Sequence, residues 1–336
     1  MRKGTKGLAT AISILLLCGI VATGCGDKNS VTKVKIGEVT RSVFYAPEYV
    51  ALEKGFFKEE GLDVELQTTF GGDKTMTALL SNAVDVALVG SETSIYVYQQ
   101  GSEDPVINFA QLTQTDGTFL VAREKSGTFA WDQLKGSVFL GQRKGGMPQM
   151  AGEFALKKKG IDPHQDLELI QNIEFANIAA AFASGTGEYV QLFEPQASIF
   201  EKEGKGHVVA SFGVESGHLP YTVFMSKQSF IKKNPETVQK FTNAIQKAQT
   251  WVAGHSPGEI TDVILPYFKD TDRDIVVSAV KRYQEQGTYA TDPVLDDKEW
   301  NNLLDVMENA GELKERVAPE VIVDNSFADK AKASSD

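Results

Sequence analysis

Val43-Phe-Tyr-Ala-Pro-Glu-Tyr-Val-Ala-Leu-Glu-Lys-Gly-Phe-Phe-Lys-Glu-Glu-Gly-Leu-Asp-Val-Glu-Leu66 reads as loop, helix, turn and strand. Pro47 suits the first turn of a helix, where no backbone N–H is lost to it. Val50, Ala51, Lys54 and Phe57 fall at helical spacing, and Gly55 and Gly61 supply turn conformations after them. Leu62, Val64 and Leu66 then alternate with Asp63, Glu65 and Gln67, the period of a strand with one buried face. A further strand, Lys33–Val39, precedes the stretch. Strand, helix, strand is the opening of an α/β domain. Phe44 and Tyr45 stand where the first strand hands over to the helix, the end at which open α/β sheets bind ligands.

Outward from this stretch, the N-terminus has a different character. Arg2, Lys3 and Lys6 precede an apolar run, Leu8–Val21, and then Val21-Ala-Thr-Gly-Cys25. This is the pattern of a secretory signal over residues 1–24. The small residues before Cys25 resemble a bacterial lipobox, in which the cysteine takes the lipid, although Ala22 stands where leucine is commonest. Residues 25–32 then read as a polar tether. Both cysteines of the chain, Cys18 and Cys25, lie in this segment, so neither a disulfide framework nor a cysteine-rich zinc site is expected beyond it. The net charge is −11, and residues 1–24 contain no acid, so the remainder is more acidic still. A nucleic acid partner is not expected, because phosphate binding needs a basic face.

The pattern beyond the opening unit repeats. Gly71-Gly72-Asp73-Lys74 leads into a helix over Thr75–Asn82 with Asp73 as its cap, and Asp85–Gly90 is a buried strand. Ser91 and Glu92 open a helix to Gln100, and Pro105–Leu112 is another strand. Strands alternating with helices imply a parallel sheet. A second α/β series follows: a strand Val138–Gly141, a helix opened by Gly145-Gly146-Met147-Pro148, and strands Leu167–Gln171, Tyr189–Phe193 and His207–Phe212. After Tyr221–Ser226 the chain is helical, which places its last third on the first sheet. The expected organisation is therefore lobe one over 33–115 plus 219–328, lobe two over 116–218, and a disordered tail over 329–336.

No catalytic constellation is visible. The four histidines are isolated, no nucleophile elbow is present, and Met147 stands where a P-loop requires lysine. No cofactor and no metal are expected. What stands out is a set of loops between strand ends and helix starts: Phe44-Tyr45, Gly72-Asp73, Ser91-Glu92, Arg143 with Gly145-Gly146-Met147, and Glu194, with Tyr221 at the return between lobes. The Gly-rich loops expose backbone N–H groups at helix starts and suit an anion. Glu92 and Glu194 suit an amine or an amidine-like edge, and Phe44 and Tyr45 suit a ring. Blander roles exist for each: N-caps for Ser91 and Asp73, dipole partners for Glu92 and Glu194, plain turns for the glycines, a surface ion pair for Arg143, core for the aromatics.

Taken together, the lipobox-type start, Phe44-Tyr-Ala-Pro47, Glu53-Lys-Gly-Phe-Phe-Lys-Glu-Glu-Gly-Leu-Asp-Val64, Gly71-Gly-Asp73 and Val84-Asp-Val-Ala-Leu-Val-Gly90 resemble the substrate-binding proteins of bacterial ABC importers. The branch is the one that serves nitrate, sulfonates, taurine and thiamine-precursor pyrimidines. The resemblance covers residues 33–255 and implies a type II periplasmic-binding-protein fold, two α/β lobes joined by two crossovers with ligand in the cleft between them. It implies no catalysis. It implies a monomer held to the outer face of the cell membrane by a lipid on Cys25, passing a small molecule to a permease and its ATPase. Two cleft carboxylates would oppose a bare sulfonate, which shifts the expected ligand toward a thiamine-precursor-like pyrimidine or other N-heterocycle. A secreted enzyme of the same fold is the alternative.

Overall fold

The structure is a computed structural model, and it describes residues 31–125 and 127–334. The expected signal segment, and Cys25 with most of the tether, lie outside the described residues. Among the described residues ten strands form two sheets. The first four are β1 (Thr32–Glu38), β2 (Leu62–Thr68), β3 (Val86–Gly90) and β4 (Val106–Thr113). They are followed by β5 (Thr118–Ala122), β6 (Val138–Leu140), β7 (Glu168–Ile170), β8 (Tyr189–Phe193), β9 (His207–Ser211) and β10 (Thr222–Lys227). The first sheet has the order β2-β1-β3-β10-β4 and the second β7-β6-β8-β5-β9.

The opening stretch folds as its pattern requires. Its helix, Ala46–Glu53, carries Pro47 in the first turn, Gly55 takes a left-handed φ of 77° to turn the chain, and β2 lies parallel to β1. β2 is an edge strand, which is why Leu62, Val64 and Leu66 turn inward while Asp63, Glu65 and Gln67 alternate outward. β3 and β4 are buried along nearly their whole length, as the apolar run of β3 demands, and β4 buries Asn108, Gln111 and Thr113 along with its apolar residues.

The sheets are mixed rather than parallel, a correction to the expectation. β10 runs antiparallel between β3 and β4, and β5 runs antiparallel between β8 and β9. The physical reason is the crossover. The chain leaves β4 at Thr113 and enters the second sheet at Thr118, with no room for the helix that a parallel connection needs. The return passes through a short helix, Phe212–Ser216, into β10. The two crossovers are bonded to each other: the N–H groups of Leu219 and Tyr221 donate to the carbonyls of Gln114 and Thr113 at 3.0 Å each.

Two further expectations fail. Over its described residues the polar tail is not disordered: Ser326–Ala333 is a helix whose Phe327, Ala328 and Ala331 are buried. Apolar residues at helical spacing within a charged segment give it one packing face, against the long helix Pro235–Ala253. Nor do the C-terminal helices serve the first sheet alone. The helix Arg273–Gln286 reaches the second lobe, where Arg282 pairs with Glu194 and Glu201. The helix Asp297–Asn309 does the same, with Asn302 donating to the Ser216 and His218 carbonyls at 3.2 and 2.7 Å.

Candidate ligand cleft

The strand ends of the two sheets meet around a cavity of about 120 Å³. That is below the ~300–1,000 Å³ of clefts for drug-sized molecules, so the space fits a small ligand. Phe44 is its central wall. Its ring meets Tyr45, Phe193, Tyr221 and Tyr283 at centroid distances of 5.7, 5.6, 5.4 and 5.3 Å. The loop that carries Phe44 is pinned from both lobes. The Ser42 hydroxyl accepts the Phe44 N–H at 3.2 Å and donates to the Glu194 carbonyl at 3.1 Å, and the Tyr289 hydroxyl donates to the Val43 carbonyl at 2.9 Å. The cluster tolerates no crowding: a Cβ on Gly117 would lie 2.5 Å from the Phe44 ring and 2.9 Å from that of Phe193.

One carboxylate lines this space. Glu92 begins the helix Glu92–Gln99 and is 4% exposed. Its Oε1 accepts the Met147 N–H at 3.2 Å from across the cleft, while Oε2 has no hydrogen-bond partner among the described residues. Burial pushes its pKa up to about 7, against the pull of two N–H groups, its own and that of Met147. The carboxylate folds back over Gly90, where a Cβ would lie 2.1 Å from Oε2. Burial also holds the hydroxyls of Tyr45 and Tyr221 well above the usual phenol range, with Glu92 adding to the effect on both.

Of the residues singled out from sequence, Phe44, Tyr45, Gly72, Glu92, Arg143, Gly146, Met147 and Tyr221 line the cavity. Asp73, Ser91, Gly145 and Glu194 stand outside its lining. Asp73 does not cap its helix, Gly72–Leu80; it pairs with Arg143 at 3.1 Å across the cleft, and Arg143 pairs with Glu174 on its other side at 3.2 Å. Ser91 is buried and donates to the Pro220 carbonyl at 2.5 Å, tying β3 to the return crossover instead of capping its helix. Gly145 takes φ of 86°, and its carbonyl accepts the Tyr96 hydroxyl at 3.1 Å.

Glu194 is committed elsewhere. Its oxygens accept the Ser198 N–H at 2.9 Å and the Ser198 hydroxyl at 3.0 Å, and they pair with Arg282. Burial raises its pKa, and Arg282 is the largest opposing influence. Glu194 lies instead on an outer hollow of about 370 Å³ that shares Ser42, Gln142, Phe175 and Phe193 with the inner cavity. The expectation of two cleft carboxylates thus becomes one in the inner cavity.

Sequence reasoning missed Phe175, Phe193, Gln142 and Thr222 as lining residues. Phe193, Gln142 and Thr222 each border a strand end, a signal that was legible; Phe175, in a short 3-10 turn, had none. Among the described residues no group of three or more His, Cys, Asp or Glu could hold a metal ion, and no helix is long and apolar enough to cross a membrane.

Comparison with known proteins fits this geometry. A model of the NMT1-like family matches residues 27–264. A Bacillus subtilis (strain 168) protein, YtlA, provisionally named a binding protein, is 62% identical over 324 residues, 96% of each chain. Among solved structures, the ligand-binding component of an ABC-type import system from Staphylococcus aureus, described with zinc bound, superposes with a TM-score of 0.71 at 16% identity. That match covers 89% of this chain and 99% of the other. The alkanesulfonate-binding protein SsuA of Xanthomonas axonopodis pv. citri, bound to MOPS, gives a TM-score of 0.69 at 15% identity, over 88% and 99%. At such identities these two structures establish the fold, the two-lobed type II periplasmic-binding-protein fold, and nothing of the ligand.

Proposed function

Because the chain belongs to the NMT1-like family, we propose that it is the extracytoplasmic solute-binding component of an ABC importer. In this reading the protein is a monomer anchored to the outer face of the cell membrane through a lipid on Cys25. It takes up a small molecule between its lobes and presents it to a permease and its ATPase. The carrying observation is the cavity itself: small, buried at the junction of two sheets, and built from loops at strand ends on both. Its walls include five rings, Phe44, Tyr45, Phe175, Phe193 and Tyr221, and one carboxylate. Such walls favour a flat, nitrogen-containing ring such as a thiamine-precursor-like pyrimidine over a tetrahedral or trigonal anion. Asp73 and Arg143 join the two rims of the cleft and would support the closed form.

Thermal denaturation of the protein against pyrimidines, thiamine, taurine, alkanesulfonates and nitrate tests this, since a ligand bound only by the folded state raises Tm. A shift with a pyrimidine, the ligand being recovered unchanged, is the expected result. Absence of any shift across a broad metabolite panel, or chemical turnover of the bound molecule, would overturn it.

A further inference from the structure

The Met147–Lys158 helix starts at the cleft with an open end. Gly146 at its N-cap offers no side-chain bond, and Pro148 in the first turn has no N–H, so the Met147 N–H is the leading donor open to an anion. The chain supplies that anion itself. Glu92, from the opposite lobe, puts Oε1 on the Met147 N–H, and as the first residue of its own helix it also lies against that helix's N-terminal N–H groups. The carboxylate therefore sits between two helix starts, each favourable to one negative charge. Its second oxygen is buried and has no partner among the described residues. Gly90 leaves room for the group to fold back, since any side chain there would strike it. Arg143, the cation on the cavity wall, is already held by Asp73 and Glu174.

Above the value of about 7 to which burial moves Glu92, an anionic ligand entering this cavity meets a like charge at the position where a helix start would otherwise receive it, and the nearby cation is occupied. We propose that Glu92 is a specificity-determining residue that excludes anions from the cleft, so that the ligand is an uncharged or cationic molecule. This rests on the reading of the cleft as a ligand site and narrows the class of ligand it takes.

The test is titration of the full chain with methanesulfonate at pH 8, for the wild type and for Glu92→Ser, with circular dichroism to establish that both are folded. Glu92→Ser frees the Met147 N–H and removes the charge. The expected result is no measurable binding by the wild type and an apparent Kd at least about tenfold tighter in Glu92→Ser. Saturable methanesulfonate binding by the wild type would overturn the inference, and so would a folded Glu92→Ser that gains none. The import reading fails separately: if the wild type binds nothing in the metabolite panel while Glu92→Ser gains methanesulfonate, anion exclusion stands and the import reading falls.

Discussion

Replacing Glu92 with glutamine keeps the size of the side chain and the oxygen that accepts from Met147, and removes only the capacity to ionise. In the unfolded chain a glutamate titrates near ~4.3. In the folded protein burial moves Glu92 up to about 7. Below the unfolded value both states hold the proton and the residue costs nothing. Between the two values only the native state holds it, so the stability of the wild type falls as pH rises. Above 7 both states are ionised and the penalty is complete, about 4 kcal/mol at ~1.36 kcal/mol per pH unit. Glu92→Gln carries no such penalty. The two proteins are therefore expected to melt together near pH 4.5 and to diverge as pH rises, the variant melting roughly 5 °C higher by pH 8. Tyr45, Tyr96 and Tyr221 are the titratable groups on which the charge of Glu92 acts, and all three are held above the usual phenol range, so none ionises in this interval. Asp116, also pushed up to about 7 by burial, is common to both proteins and cancels in the difference. Differential scanning calorimetry at half-unit steps of pH reads the effect. A Tm difference that stays constant from pH 4.5 to 8, or a variant less stable at pH 8, would refute the assignment of a buried carboxylate with an unmet oxygen at this position.

Other outcomes follow from the same geometry. Arg282→Met leaves Glu194 buried without its cation and is expected to cost about 3–5 kcal/mol in denaturant unfolding, with much of the loss recovered in the double variant that adds Glu194→Gln. Gly117→Ala drives a methyl group into the rings of Phe44 and Phe193, so ligand binding measured by calorimetry should weaken by at least about tenfold while the protein remains folded. Trp300→Ala, at a fully buried site whose indole N–H donates to the Val317 carbonyl at 2.9 Å, should destabilise by about 3–5 kcal/mol without altering ligand affinity in the protein that folds. Arg143→Ala, at a half-exposed pair of contacts, should change stability by less than about 1 kcal/mol and should raise ligand koff.

How much of this was legible in the sequence depended on the range of the interaction. Val43 to Leu66 could be read because its helix and edge strand are fixed by local periodicity and by burial on one face. The buried run of β3 declared itself for the same reason. Strand direction could not be read, since β5 and β10 are set antiparallel by where the crossovers enter each sheet, and an apolar strand looks the same in either direction. The tail helix was hidden because its charged residues dominate composition while three buried positions decide its fate. In the cleft, chain position at strand ends located Glu92, Met147 and Tyr221 along the cavity. The same rule misplaced Ser91 and Glu194, whose partners, the Pro220 carbonyl and Arg282, are distant in sequence.

Those distant partners explain why a glutamate that begins like a ligand residue serves the scaffold. Tyr283 and Arg282 are neighbours on one helix of the first lobe. The Tyr283 hydroxyl accepts the Glu194 N–H at 3.1 Å and donates to the Gly117 carbonyl at 2.9 Å, while Arg282 holds the Glu194 carboxylate. The Glu194 carbonyl in turn accepts from Ser42, just before Phe44. Glu194 is thus gripped at its N–H, its carbonyl and its carboxylate, and Phe193, the residue before it, presents its ring to the cavity beside Phe44. A charge fixed so completely has no free oxygen for a ligand, and its value lies in setting the distance between two ring walls that belong to different lobes. Glu92 is the converse case: one oxygen bonded across the cleft, one left without a partner, and only glycine behind it. The difference between the two acids lies in which side of the cleft supplies the compensating charge. Arg282 answers Glu194 from the back of the joint, whereas Glu92 meets a backbone N–H, that of Met147, across the cavity, which leaves the cavity wall with a negative bias wherever Glu92 is ionised.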